Sequence, residues 1–356
     1  MNEMNKKIKI LVVEDSAVQR ELLVHIFNSD TAIQVIGLAE NGIEALEALK
    51  KLQPDLVLMD LHMPRMNGIE TIRQIMKTNP FPIVAISASA NSGDIIDGFH
   101  ALEAGAVAFA EKPRSIHHPQ YEFLRSNLLL TVKLMSEVIV IKRWDKSRKQ
   151  SKMGSESPKK IAAPLITKKI QFITIGTSTG GPIVLKTILS LLPPDFPPML
   201  IVQHISPGFI QGLAEWLTAV THRLISVATD GQLPERGHVY FAPDHHHMGI
   251  SKTEHIFLSP NGSGSELCPS VDFLFNSVAS VIKDNAMGIL LTGMGSDGAL
   301  GLKKMKEQGA ITIAQNKETS LIYGMPNQAI KVGAAKYILT PEDIAETISS
   351  LSKGDV

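Results

Sequence analysis

The stretch "QFITIGTSTGGP" (171–182) passes from an apolar run through a turn of small residues to a proline. "FITIG" (172–176) has no polar alternation and reads as a strand covered on both faces. Pro182 is a favoured first helical position, so a helix should start there. Strand, glycine turn and helix form the repeating unit of a parallel α/β sheet. Such a turn either cradles a phosphate or presents a nucleophile.

Three loop patterns compete for "GTSTGG" (176–181). A Walker loop needs lysine and then Ser or Thr after its last glycine, but Pro182 follows Gly181. The dinucleotide fingerprint fails because positions 176 and 178 are not both glycine. The nucleophile elbow G-x-S-x-G fits Gly176-Thr177-Ser178-Thr179-Gly180 letter for letter. That pattern is short, and its weight comes from the strand before it and the helix after it.

Outward from this turn the alternation continues. Apolar runs at "MLIVQH" (199–204), "AMGILLTG" (286–293), "AITIA" (310–314) and "KYIL" (336–339) alternate with helical patterns. "HVYFAPDHHHMGI" and "EHIFLSP" predict a short antiparallel excursion within this larger parallel sheet. Upstream, "IKILVV" (8–13), "IQVIGL" (33–38), "DLVLMD" (55–60), "PIVAIS" (82–87) and "AVAFA" (106–110) define five more strand–helix units. Between the halves, residues 142–169 carry ten Lys or Arg against two acids and no hydrophobic period. A solvated tether fits better than a nucleic-acid or membrane patch, because no aromatic or amphipathic pattern accompanies the charge. The expected organisation is an N-terminal five-stranded parallel doubly wound domain (6–130), a helix end and basic linker (131–169), and a doubly wound C-terminal α/β domain (170–352).

Composition excludes several classes. Thirty-five basic against thirty-five acidic residues give no net charge and no general case for nucleic-acid binding. A lone cysteine, Cys268, fits a reducing compartment. The apolar stretch 128–144 contains Lys133 and Glu137 and is too charged to span a bilayer. No secretory signal opens the chain, so the expected location is the cytoplasm.

A nucleophilic Ser178 needs a base and an orienting acid. Of twelve histidines, His204 ends the strand "MLIVQ", so its strand end should lie beside that of Ser178. Asp297 falls in the glycine-rich turn of "GILLTGMGSDGALGLKKM". All three then occupy carboxyl-end loops of parallel strands. Asp244 and Asp272 are rival acids, and Asp297 has the alternative role of capping the helix that follows it. His245-His246-His247 suggests a metal, but no second ligand cluster accompanies it. His222, His238 and His255 lie in polar stretches and read as surface residues.

In the first half, strand ends carry Glu14, Asp15, Asp60, Ser87 and Lys112. Clustered carboxylates suit Mg²⁺, and a lysine with a hydroxyl opposite suits a phosphoryl group on one of them.

"VVEDS", "LVLMDLHMPRMNGIE", "AISAS" and "AFAEKP" resemble the two-component receiver domain, a flavodoxin-like fold, over about residues 6–130. The resemblance implies that Asp60 accepts phosphate and that Asp15 and Asp60, with Glu14 assisting, bind Mg²⁺. It implies that Ser87 and Lys112 contact the phosphoryl group and that Phe109 reports its presence. "IGTSTGGP", "IVQHISPGF", "PSVDFLFNSVA", "LLTGMGSDGALGL" and "YGMPNQAI" resemble the catalytic domain of the chemotaxis protein-glutamate methylesterases, the CheB type. That similarity implies Ser178 as nucleophile, His204 as base and Asp297 as orienting acid, with Thr179 and the Met294 N–H supporting the oxyanion. It further implies phosphorylation-activated demethylation, with some glutamine deamidation, of chemoreceptors. A histidine kinase would be the phosphodonor, with no cofactor beyond the receiver's Mg²⁺. Two other classes compete: a phosphorylation-controlled binding module without turnover, and a DNA-binding response regulator, whose output domain would be shorter and more basic.

Overall fold

The computed structural model describes residues 7–87, 92–113, 115–138, 140, 168–260 and 267–351. Most of the expected linker, 141–167, therefore lies outside the described residues. The chain divides into two compact units, Met1–Ser157 and Pro158–Val356.

The first unit runs β1 (Ile8–Val13), α1 (Ala17–Asn28), β2 (Ile33–Ala39), α2 (Gly42–Lys51), β3 (Leu56–Asp60), α3 (Gly68–Thr78), β4 (Ile83–Ser87), α4 (Ser92–Ala104), β5 (Ala108–Glu111) and α5 (Tyr121–Ser136). Its strands are all parallel in the order β2-β1-β3-β4-β5. β3 and β4 are buried along their whole length, which is why their sequences do not alternate. Asn41 and Asn67 cap α2 and α3 by accepting first-turn N–H groups, each worth about 1 kcal/mol against alanine. A truncation such as Leu58→Ala in the closed centre of β3 would cost about 2–5 kcal/mol.

The second unit runs β6 (Phe172–Thr177), α6 (Gly181–Leu191), β7 (Met199–Gln203), α7 (Ile210–Thr221), β8 (Leu224–Val227), β9 (His238–Phe241), β10 (His246–Ile250), β11 (Ile256–Pro260), α8 (Val271–Val281), β12 (Ala286–Leu290), α9 (Ala299–Glu307), β13 (Ile311–Gln315), α10 (Met325–Lys331), β14 (Tyr337–Leu339) and α11 (Pro341–Leu351). Seven strands form one parallel sheet in the order β14-β13-β12-β6-β7-β9-β8. The antiparallel excursion is smaller than expected and stands apart from that sheet. "HVYF" is β9, parallel to β7, with Val239, Tyr240 and Phe241 fully buried. Only β10 and β11 pair antiparallel, as a separate hairpin. β8, four residues of "LISV", was too short to register in the sequence pattern.

β6 lies between β7 and β12, so the chain leaves it in one direction and later returns on its other side. Loops diverge at such a switch point and open a crevice at the carboxyl ends of the strands. Ser178, His204 and Asp297 follow β6, β7 and β12.

Candidate active site

Register sets the first two residues side by side. Thr177 pairs with Gln203, and the His204 N–H donates to the Thr177 carbonyl at 2.9 Å, so Ser178 and His204 leave adjacent strand ends together. The Ser178 N–H donates to the Thr292 carbonyl at 3.0 Å, and its own carbonyl accepts from the Gly181 N–H at 2.9 Å. Gly180 turns the chain into α6 at φ 83°, a left-handed conformation that glycine adopts without a Cβ penalty. Gly293 allows the loop after β12 to lie against this turn, since a Cβ there would come within 2.6 Å of the Ser178 Cβ.

His204 Nε2 meets Asp297 Oδ2 at 3.0 Å. Asp297 also accepts from the Ser270 hydroxyl (2.9 Å), the Val271 N–H (2.7 Å) and the Asp272 N–H (3.0 Å). These donors belong to the start of α8, where the helix dipole favours negative charge. Burial alone would raise the Asp297 pKa, but the hydrogen bonds from His204, Asp272 and Val271 prevail and hold it below the usual carboxylate value. A neutral His204 that donates from Nε2 to this carboxylate keeps Nδ1 as its acceptor. Among the described residues Ser178 Oγ makes no hydrogen bond.

The rival acids have other partners. Asp297 does not cap the helix that follows it, because the N-cap of α9 is a left-handed Gly298, at φ 89°, which has no side chain to offer. Asp244 accepts from the Gly208 N–H at 2.7 Å and forms no bond to His204. Asp272 accepts from the Gly301 N–H at the start of α9. The three consecutive histidines separate: His245 is exposed at φ 61°, His246 Nδ1 meets the Asp244 carbonyl at 3.0 Å, and His247 is buried. His222 is exposed, but His238 is half-buried and stacked on Tyr240 with ring centroids 4.2 Å apart, contrary to the surface reading.

Several supporting residues were not singled out by sequence. Gln203 Nε2 donates to both the Ser178 and His204 carbonyls at 2.9 Å. Thr292 Oγ1 donates to the Thr179 carbonyl at 2.9 Å, while the Thr292 N–H donates to Gln315 Oε1 at 2.7 Å. Ser270 caps α8 and holds Asp297. The signal available for Gln203 and Thr292 is a polar residue closing an otherwise apolar strand. Among the described residues the N–H groups of Thr179 and Met294 have no protein acceptor. The loop of Met294 is held by the Gly324 and Met325 N–H groups, which both donate to the Gly293 carbonyl.

In the first unit Lys112 Nζ lies 3.0 Å from both Glu14 Oε2 and Asp60 Oδ1, with all three side chains buried. Burial, and then Asp60, push the Glu14 pKa up. Burial opposes the Lys112 charge, but Asp60 and Glu14 overcome it and raise that pKa. Carboxylate oxygens of Glu14, Asp15 and Asp60 lie within 4.8 Å of one another, the one such ligand group among the described residues. This hard-oxygen donor set, with exposed Asp15 open to water, fits Mg²⁺. Ser87 Oγ is buried without a partner among the described residues and so stands ready to accept or donate at this strand end.

A receiver-type unit followed by a parallel α/β unit with a His–Asp pair at its switch point is the layout of a response regulator with a hydrolase as output. The family model described as CheB methylesterase matches residues 173–348, and that of the response regulator receiver domain matches residues 10–118. The chain is 49% identical to protein-glutamate methylesterase/protein-glutamine glutaminase 1 of Syntrophus aciditrophicus, over 97% of this chain and 98% of that one. It is 42% identical to a fourth protein of that name in Geobacter metallireducens, over 97% and 99%. The crystal structure of the Thermotoga maritima CheB methylesterase catalytic domain aligns with 51% of this chain and 99% of its own, at 36% identity and a TM-score of 0.49. The chain belongs to the protein-glutamate methylesterase/protein-glutamine glutaminase family, with a receiver domain at its N-terminal side.

Proposed function

We propose that this chain is a phosphorylation-activated serine hydrolase that demethylates glutamate methyl esters, and deamidates glutamines, on chemoreceptors in the cytoplasm. The observation that carries the reading is the His204–Asp297 pair beside the Ser178 turn, in a chain of this family. In it Ser178 Oγ attacks the γ-carbonyl carbon and its proton passes to His204. The resulting imidazolium is stabilised by Asp297. The Thr179 and Met294 N–H groups face the oxyanion. As the tetrahedral intermediate collapses, the C–OCH₃ bond breaks and methanol leaves with the proton from His204. Water, deprotonated by His204, then cleaves the acyl-enzyme and returns Ser178 and a glutamate carboxylate. With a glutamine substrate the leaving group is ammonia.

Control lies in the receiver, taken as about residues 6–130, with 131–169 as tether and 170–352 as the catalytic domain. Asp60 accepts the phosphoryl group from a histidine kinase. Glu14, Asp15 and Asp60 would hold Mg²⁺, which supplies charge neutralisation for that transfer. Lys112 and Ser87 contact the transferred group, and Phe109 responds to it. Methanol release from methylated receptor membranes, with and without a phosphodonor, tests the reading. No release by the wild-type chain under either condition would refute it.

A further inference from the structure

His247 is a buried, titratable group with no part in the chemistry above. It is fully buried on β10, across from Ser259 on β11. Its Nδ1 accepts from the Ser270 N–H at 3.2 Å, which places the ring proton of the neutral form on Nε2. Nε2 itself has no partner among the described residues. The ring stacks on Phe273 of α8, with centroids 4.7 Å apart at 17°. Burial lowers its pKa and the Asp297 carboxylate opposes that shift, so the site favours the neutral ring. An orphaned buried N–H costs stability, so a residue that only filled space here would be better replaced by a phenylalanine.

The contact at Nδ1 supplies another reason for a histidine. Ser270 is the residue whose hydroxyl donates to Asp297 Oδ1 and accepts from the Phe273 N–H as the cap of α8. The two N–H groups that follow, Val271 and Asp272, hold the same carboxylate. The chain of contacts thus runs from His247 through Ser270 to Asp297 and on to His204.

We propose that His247 is a positioning residue for the esterase reaction: it fixes the capping turn of α8 by accepting the Ser270 N–H and stacking on Phe273, and so holds Asp297 against His204. The inference rests on the triad reading above, but its structural part can be tested without turnover. Deprived of the acceptor, the Ser270 turn loosens and Asp297 is held less firmly against His204. The variants are His247→Phe, which keeps the stack and removes the acceptor, and His247→Asn, whose side-chain oxygen can replace Nδ1.

In the full-length chain labelled with ¹⁵N-histidine, the His204 signal is assigned by its loss in His204→Gln. Its ring ¹⁵N chemical shifts at a fixed pH should move in His247→Phe, as the contact with Asp297 loosens, and return toward the wild-type values in His247→Asn. On methylated receptor membranes kcat should fall about 10- to 100-fold in His247→Phe with KM little changed, and partly recover in His247→Asn. An unmoved His204 signal in a folded His247→Phe protein overturns the proposal even if the chain proves inactive on receptors. Equal loss in both variants, tracking only a lowered Tm, overturns it too.

Discussion

Asp297 and Asp272 cap each other's helices. The Asp297 carboxylate accepts the Val271 and Asp272 N–H groups at the start of α8, and the Asp272 carboxylate accepts the Gly301 N–H at the start of α9. The proposed orienting acid is therefore held by a packed helix pair and not by a loop alone, as a carboxylate that must orient an imidazole requires. The two acids shift oppositely: hydrogen bonds take Asp297 below its ordinary 3.8, and burial takes Asp272 above it.

Asp297→Asn should lower kcat roughly 10²- to 10⁴-fold, because the imidazolium loses its counter-charge. Its stability effect should depend on pH. A carboxyl whose folded pKa is depressed contributes stability that is present above its ordinary value and is lost as pH falls through the folded one. Urea unfolding of the wild type and Asp297→Asn should thus differ at pH 7 and converge in acid. A difference that grew on acidification would contradict the account.

Asp272 carries the opposite sign, since a raised folded pKa favours the folded state in acid and opposes it as pH rises. Asp272→Asn keeps an acceptor for α9 and should change stability at pH 7 by less than about 1 kcal/mol, whereas Asp272→Ala loses the cap and should cost about 1–2 kcal/mol. Equal costs for the two would mean that the Gly301 contact contributes nothing.

Gln203 joins the Ser178 carbonyl to the His204 carbonyl through one amide nitrogen. Gln203→Leu, similar in size but without the donor, should reduce kcat about 10- to 100-fold with KM nearly constant. Initial rates over a range of receptor concentrations separate this from weakened substrate binding.

In the receiver, Lys112 neutralises two buried carboxylates. Lys112→Ala leaves Glu14 and Asp60 repelling each other and should destabilise by about 3–5 kcal/mol at pH 7. Since the Glu14 pKa is already raised, mild acid should relieve part of the loss, and so should Mg²⁺ through binding to the folded state. Asp60→Asn should hold the enzyme at its basal rate whatever phosphodonor is supplied. A Tm series in pH and Mg²⁺, with rates for Asp60→Asn, checks both.

Much of this was legible in the sequence because strands buried on both faces advertise themselves as unbroken apolar runs. β3, β4, β6 and β12 all read correctly for that reason. β8 and β9 did not, since "LISV" is brief and "HVYF" runs into a histidine-rich turn that resembles a hairpin. Ser178, His204 and Asp297 were legible as strand-end residues. Asp297's bond to α8 was not, because its donors at 270–272 lie about 25 residues earlier in the chain and meet it only when β12 packs beside β6. The same holds for Thr292, whose partners come from three separate segments.

Methanol release from methylated receptor membranes by the full-length chain and its Ser178→Ala and His204→Ala variants tests the central claim most directly. The account predicts release by the wild type, faster with a phosphodonor and Mg²⁺, and a fall of several orders of magnitude in both variants with their Tm values retained. Retention of more than about a tenth of the wild-type rate by folded Ser178→Ala would contradict it.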